Sequence, residues 1–158
     1  MQYLTLPSTA QCAPDCFFTT PAYNNGTVYL GMVGSPVLAL TLAGGHVNST
    51  PQQVVVPSST SAETYGYPGP TPNISGSPNG DIIVWVLDNG GFATSTGAGR
   101  PAILRAYDAT NLANTLYSSS TLAADAPGNA VKFTCPVIAN GHVYVGGSRV
   151  LTVFGLSP

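Results

Sequence analysis

The chain has 158 residues, of which 6% are charged: four Lys or Arg against six Asp or Glu, for a net charge of −2. An ordinary domain is about 25% charged, and four cations leave no electrostatic footprint for nucleic acid or an anionic membrane surface. A hydrophobic fraction of 44% excludes a disordered chain, and 18 Gly with 14 Pro exclude a helical bundle; no apolar run reaches the about 18 residues of a membrane helix.

Residues 1–16 hold a strand-like opening, Gln2–Leu6, and the pair Cys12 and Cys16 in a CAPDC stretch. A three-residue spacer can close a small disulfide loop, stay reduced, or supply half of a metal site. The disulfide is the favoured reading, because neither His46 nor His142 has a ligand-spaced neighbour. No basic start or long apolar core follows Met1, so the chain carries no signal peptide of its own. Low Lys and Glu with Thr, Ser and Asn surfaces nevertheless suit a periplasmic or secreted protein, and the leader is expected upstream. Sequons begin at Asn25, Asn48 and Asn73 and carry little weight in so Thr- and Ser-rich a chain.

From Phe17 onward the chain repeats. Three segments, Thr19–Gly45, Pro70–Asn111 and Phe133–Leu156, share one layout. Each opens with a Pro-containing extended piece, then has an Asn-Gly turn at Asn25-Gly26, Asn79-Gly80 or Asn140-Gly141. Asn-Gly suits the positive φ angles of a tight hairpin. A β-branched and aromatic strand follows, then a turn and a second apolar strand. The turn glycines are 54 and 61 positions apart.

Strand by strand, the first of each unit is expected at 17–23, 70–75 and 132–139. The second is expected at 27–33, 81–87 and 142–146, and the third at 36–42, 102–107 and 150–154. A fourth is expected at 52–56 and 115–119. In the last unit both strand faces are largely apolar, which predicts cover on both sides.

Four antiparallel strands repeated at this spacing predict an all-β fold, a β-propeller of about three four-stranded blades. A β-sandwich of short strands is the alternative. The domain map is a leading strand and Cys loop at 1–16, a first repeat at 17–56 and a linker at 57–68. A second repeat at 69–120 carries an inserted loop at 88–100. A linker at 121–131 precedes an incomplete third repeat at 132–158. A last unit without its fourth strand, and an opening strand without a blade, point to the C-terminal part of a larger propeller.

The stretch AILRAYDATNLANTLYSS, Ala102–Ser119, resembles the repeat of quinoprotein-type (PQQ-like) propellers: a strand ending in Ala-x-Asp, a turn, then a strand with an aromatic. Ala106, Asp108 and Thr110 match, and Tyr117 stands where that family has the Trp that docks between blades. The tail GNAVKFTCPVIANGHVYVGGSRVLTVFGL is similar to a closing blade of such proteins. Departures are equally specific. Asn111 replaces the docking Gly, and Trp85 is the single Trp. The family's quinone site has a Trp floor, acidic and amide ligands to Ca²⁺ and often adjacent cysteines, and this chain assembles none of these. The resemblance therefore implies a scaffold with no catalytic residue and no cofactor in this chain. PQQ and Ca²⁺ enter only if the chain belongs to a full-length dehydrogenase with its cofactor contacts in other blades.

Candidate binding residues lie in two loops. Asp88, Asn89, Phe92 and Arg100 belong to the insertion DNGGFATSTGAGR, 88–100, and offer acceptors, an aromatic platform and a cation. Long loops on a rigid sheet commonly carry function, and a solvated Gly/Ser/Thr loop is the plainer reading. Tyr65 and Tyr67 lie in the connection leading to the second repeat. They can stack on a sugar or peptide, or pack between blades. Arg105 is expected to pair with Asp108 or Asp81, Cys135 to be a small buried hydrophobe, and His142 to be an exposed turn exit. No G-x-S-x-G elbow is present. Asp81 and Asp88 would stand about 20 Å apart on an extended strand, too far for paired carboxylate catalysis. The resulting expectation is a non-catalytic, extracytoplasmic scaffold or binding surface. Its partners are the remaining blades, a protein or a glycan, with neither nucleic acid nor membrane insertion.

Overall fold

The structure is a computed structural model that describes residues 2, 17–49, 56–76, 80–95 and 97–155. The chain is all-β, and no described helix is long and apolar enough to cross a membrane. The pair Cys12 and Cys16 lies outside the described residues, as does most of the opening strand.

Among the described residues, twelve strands form three antiparallel sheets in chain order. The first contains β1 (Ala22–Asn24), β2 (Thr27–Leu30), β3 (Leu38–Ala43), β4 (His46–Val47) and β5 (Ser59–Thr60). The second is a plain meander of β6 (Asn73–Gly76), β7 (Ile82–Asp88), β8 (Ile103–Asp108) and β9 (Asn111–Ser118). The third has β10 (Val137–Ala139), β11 (His142–Gly147) and β12 (Val150–Phe154). The strands thus divide among three sheets rather than the two of a sandwich.

Turn chemistry sets the hairpins. Asn25-Gly26 and Asn140-Gly141 each hold two consecutive positive φ angles, 40° and 80° in one, 50° and 74° in the other. That backbone matches the right-handed twist of the paired strands. In the β8–β9 turn, Asp108 Oδ1 accepts from the Thr110 backbone N–H at 2.8 Å and from the Thr110 hydroxyl at 2.7 Å. These bonds hold the Asp108 carboxyl below its ordinary pKa. The turn closes so tightly that β9 begins at Asn111, four residues earlier than the sequence suggests.

The first sheet differs from expectation at its fourth position. Residues 52–55 are outside the described set, and Val56 lies in no strand. Two short strands share the β3 edge instead: β4 pairs with Leu42 and Ala43, and β5 with Leu38 and Ala39. The Gly44-Gly45 turn, with φ of 59° and 80°, folds β4 straight back. β5 lies within the stretch that reads as linker in the sequence.

The second sheet is the middle layer. Side chains alternate along β7, so Val84 and Val86 share one face with Tyr107 of β8, while Leu87 shares the other with Leu104. The first face packs on Tyr29 and Ala39 of the first sheet and on Val37 just before β3, and the second on Val143 and Val145 of the third. β6 lies against both β1 and β10. Burying each large apolar side chain contributes about 1.5–3 kcal/mol, and Val84, Val86, Leu87, Leu104 and Tyr107 are fully buried.

The third sheet corrects one expectation. Its inner face is covered by the second sheet, but its outer face, with Val137, Leu151 and Val153, is exposed, Leu151 to 65%. Among the described residues no element packs there.

Candidate functional site

In an antiparallel meander, the segment leading into the first strand and the loop between strands two and three meet at one end of the sheet. Here that end gathers the leaders of all three sheets and the β7–β8 insertion. The leaders share a local pattern: Phe18-x-x-Pro21, Tyr67-x-x-Pro70 and Phe133-x-x-Pro136. Pro cannot donate to a sheet ladder, so each leader stays outside the ladder before its first strand and presents its aromatic ring at the rim.

The three rings converge. Phe18 lies 5.4 Å from Tyr67 and 6.5 Å from Phe133, and Tyr67 lies 6.1 Å from Phe133, between centroids. Phe92 from the insertion adds a fourth ring, 5.9 Å from Tyr67. Most of these contacts are edge-to-face, the arrangement favoured by ring quadrupoles. The rings stay accessible: Tyr67 is 40% exposed, Phe18 45% and Phe133 58%. Phe133 sits at φ 65°, a left-handed backbone that a bulky residue adopts at a cost. The ammonium of Lys132 lies 4.3 Å from the centroid of Phe92 and 5.5 Å from that of Tyr67, a cation–π arrangement.

The insertion is bracketed to the third leader. Asn89 is buried, donating from Nδ2 to the Thr134 carbonyl at 2.7 Å and accepting from the Thr134 hydroxyl at 3.3 Å. Backbone bonds join Arg100 N–H to the Gly91 carbonyl and Ala130 N–H to the Arg100 carbonyl. Beside the rings a cavity of about 730 Å³ opens, lined by Gly66, Asp88, Gly91, Arg100, Ile103 and Ser119 among others.

Under this end, between the first and second sheets, lies a polar network. Tyr65 donates to the Tyr107 hydroxyl at 2.5 Å, because Tyr107 itself donates to Glu63 Oε2 at 2.6 Å. Arg105 lies 3.7 Å from Glu63, 3.3 Å from Asp88 and over the Tyr65 ring. Burial pushes the Tyr65 phenol up to about 12, against the opposing pull of its bond to Tyr107. Tyr107 is also pushed up, by burial first and then by Tyr65 and Glu63. Both phenols are therefore neutral at pH 7 and serve as structural donors.

The sequence-based candidates separate accordingly. Phe92 and Tyr67 come together in the ring cluster, and Arg100 lies exposed beside them on the cavity wall. Asn89 is a buried bracket. Asp88 sits at the end of β7, tied to Arg105. Tyr65, 1% exposed, packs between the first and second sheets and offers no face for stacking.

Arg105 pairs with Glu63 and Asp88 rather than with Asp108 or Asp81. Three residues along a strand places Asp108 on the opposite face, whereas Asp88 lies diagonally across on the same face. Cys135 is exposed rather than buried. In the extended leader it alternates with the buried Pro136. His142 is exposed, as expected, with Nδ1 2.8 Å from the Asn140 carbonyl oxygen. Tyr117 of β9 meets Phe154 of β12 at 6.2 Å, joining the second and third sheets.

Sequence reasoning missed Phe18, Phe133 and Lys132. The aromatic-x-x-Pro spacing, repeated once per unit, is the signal that marks the first two. Lys132 occupies the position of Phe17 and Gly66 in the other leaders. Comparison with protein-family models, with curated proteins and with solved structures returned no match.

Proposed function

We propose that the chain is an extracytoplasmic β-propeller segment that acts by binding a protein or glycan rather than by catalysis, with the leader end of its sheets as the recognition surface. The propeller reading is supported by antiparallel meanders that stack face to face in chain order, with β6 flanked by β1 and β10. The observation that carries the binding reading is the ring triad of Phe18, Tyr67 and Phe133, one from the segment leading into each sheet and each at least 40% exposed. Contiguous exposed apolar surface of this kind marks recognition sites, and aromatic residues dominate the energetic centres of interfaces.

The competing proposal is the C-terminal portion of a PQQ-dependent dehydrogenase. The residues described here do not fit that cofactor's contacts. Glu63 and Asp88 are committed to Arg105, and no three His, Cys, Asp or Glu among the described residues gather as a cation requires.

Two measurements separate the readings. The chain is screened on arrays of glycans and of short peptides, alongside a Phe133→Ser variant. Ligands retained by the parent and lost by the variant are expected. Identical profiles for the two would remove the binding face. Thermal unfolding with Ca²⁺ and PQQ added is expected to leave Tm unchanged. A rise of several degrees would favour the dehydrogenase reading instead.

A further inference from the structure

The ring cluster carries more than apolar surface. Lys132 and Arg100 are two of only four Lys and Arg in the chain, and both lie exposed at this end. Neither is in an ion pair among the described residues. The nearby carboxylates of Glu63 and Asp88 are held by Arg105. Lys132, Arg100 and Arg105 against Glu63 and Asp88 leave this end with a net charge of +1, in a molecule whose total is −2. The Lys132 ammonium rests on ring faces, a partner far weaker than a carboxylate.

The geometry favours one class of ligand. A saccharide is gripped by hydrogen-bonding side chains set around a flat stacking platform. Among Phe18, Tyr67, Phe92 and Phe133 the single polar side-chain atom is the Tyr67 hydroxyl. Tyr67 meets Phe18, Phe92 and Phe133 at interplanar angles of 83°, 73° and 83°, so these rings form no common platform. Lys132 already covers the face of Phe92. Rings in mutual edge-to-face contact, 5.4–6.5 Å between centroids, instead present an uneven apolar surface on which an aliphatic or aromatic side chain can pack. The adjoining cavity of about 730 Å³ falls in the range of small-ligand and peptide sites. Gly66 on its wall, next in sequence to Tyr67, has open space where a Cβ would stand.

We infer that this end binds a short acidic peptide segment with an apolar anchor: the anchor packs on the exposed surfaces of Phe18, Tyr67 and Phe133, and flanking carboxylates pair with Lys132 and Arg100. The inference rests on the binding reading proposed above and names its ligand. The Phe133 backbone fits this role, because its left-handed conformation holds an apolar ring at the rim where an Asn or Gly would be more comfortable.

The test titrates the whole chain, by amide chemical-shift changes, with three probes: a short peptide alternating glutamate with leucine, the same peptide with lysine for glutamate, and a neutral oligosaccharide. The acidic peptide is expected to bind and to weaken as salt rises. Lys132→Gln is expected to weaken it at least about tenfold, equivalent to about 1.4 kcal/mol, and Phe133→Ser to abolish it. Leu151→Ser, on the far face of the third sheet, is expected to leave it unchanged. Unfolding curves establish that each variant folds. Equal binding of the basic peptide, or an acidic-peptide affinity indifferent to Lys132→Gln, overturns the inference. Binding of the oligosaccharide alone overturns it while retaining the binding face. No change at the ring cluster with any probe overturns both.

Discussion

The middle sheet has two buried faces that differ in their polar content. Toward the third sheet it is dry: Leu87 and Leu104 meet Val143 and Val145, with Trp85 and Tyr117 at the margin. Toward the first sheet it is threaded with polar groups. Tyr29 donates across to the Ala109 carbonyl at 3.0 Å, and Tyr65, Tyr107, Glu63, Arg105 and Asp88 form one chain of bonds. A dry face stabilises through area and tolerates small slips in position. A bonded face contributes less net energy per group, but leaves costly unsatisfied atoms if the sheets shift. The first interface thus fixes geometry, and it lies directly beneath the loops that form the candidate site.

Substitutions on the two faces should separate these roles. The largest expected effect is on the dry face: Leu104→Ala should lower unfolding free energy by about 3 kcal/mol, read by denaturant titration. A loss below about 1 kcal/mol would mean that the third sheet packs less closely than described. Next is the close approach of the first and second units, where a Cβ on Gly31 would overlap the Pro70 carbonyl oxygen. Gly31→Ala should cost about 2 kcal/mol by overpacking, with a lowered Tm as the readout.

Tyr107→Phe removes a donor to Glu63 and the acceptor for Tyr65, and should cost about 1–2 kcal/mol. A double-mutant cycle with Tyr65→Phe should show coupling, since both act in one chain of bonds. Additivity would argue against the network.

The same network makes a pH prediction. Both phenols have folded pKa values raised above the ordinary 10, Tyr65 to about 12. A raised pKa favours the protonated fold. This contribution is intact below pH 10 and is lost as pH rises from 10 through 12. Denaturation midpoints followed across that window should fall for the parent, and fall less steeply for Tyr65→Phe. Equal slopes would remove the phenols from the account.

The smallest stability effect is expected at the rim. In Phe133→Asn, relief of the left-handed backbone offsets the lost ring contacts, for a net change within about 0.5 kcal/mol. The acidic peptide should nevertheless no longer bind.

Much of the local order was legible in the residues. Asn25-Gly26 and Asn140-Gly141 announced their hairpins, and the β-branched runs at 82–88 and 142–147 announced their strands. Short-range chemistry decides those features. What escaped depends on distance in the chain. Glu63 reaches Arg105 from a connection 42 residues away, and no periodicity reports that. β4 has two residues and rests on a Gly-Gly turn, too little sequence to pattern. The ring triad was written in the spacing of three aromatics and three prolines, but its meaning needed the three leaders to be seen at one end. Cys135 misled because it follows apolar neighbours in an extended segment, where alternation rather than hydrophobicity decides which side chain faces inward.

At high concentration, the outer edge of β12 is where pairing between molecules would begin. Among the described strands it pairs with β11 alone. Proteins usually guard such edges with charge, a bulge or a proline. Between Val137 and Gly155 the one charged residue is Arg149, at the β11–β12 turn, and no proline interrupts the strand. An edge of this kind, with Leu151 and Val153 exposed beside it, favours association of native molecules over unfolding as the route to aggregation.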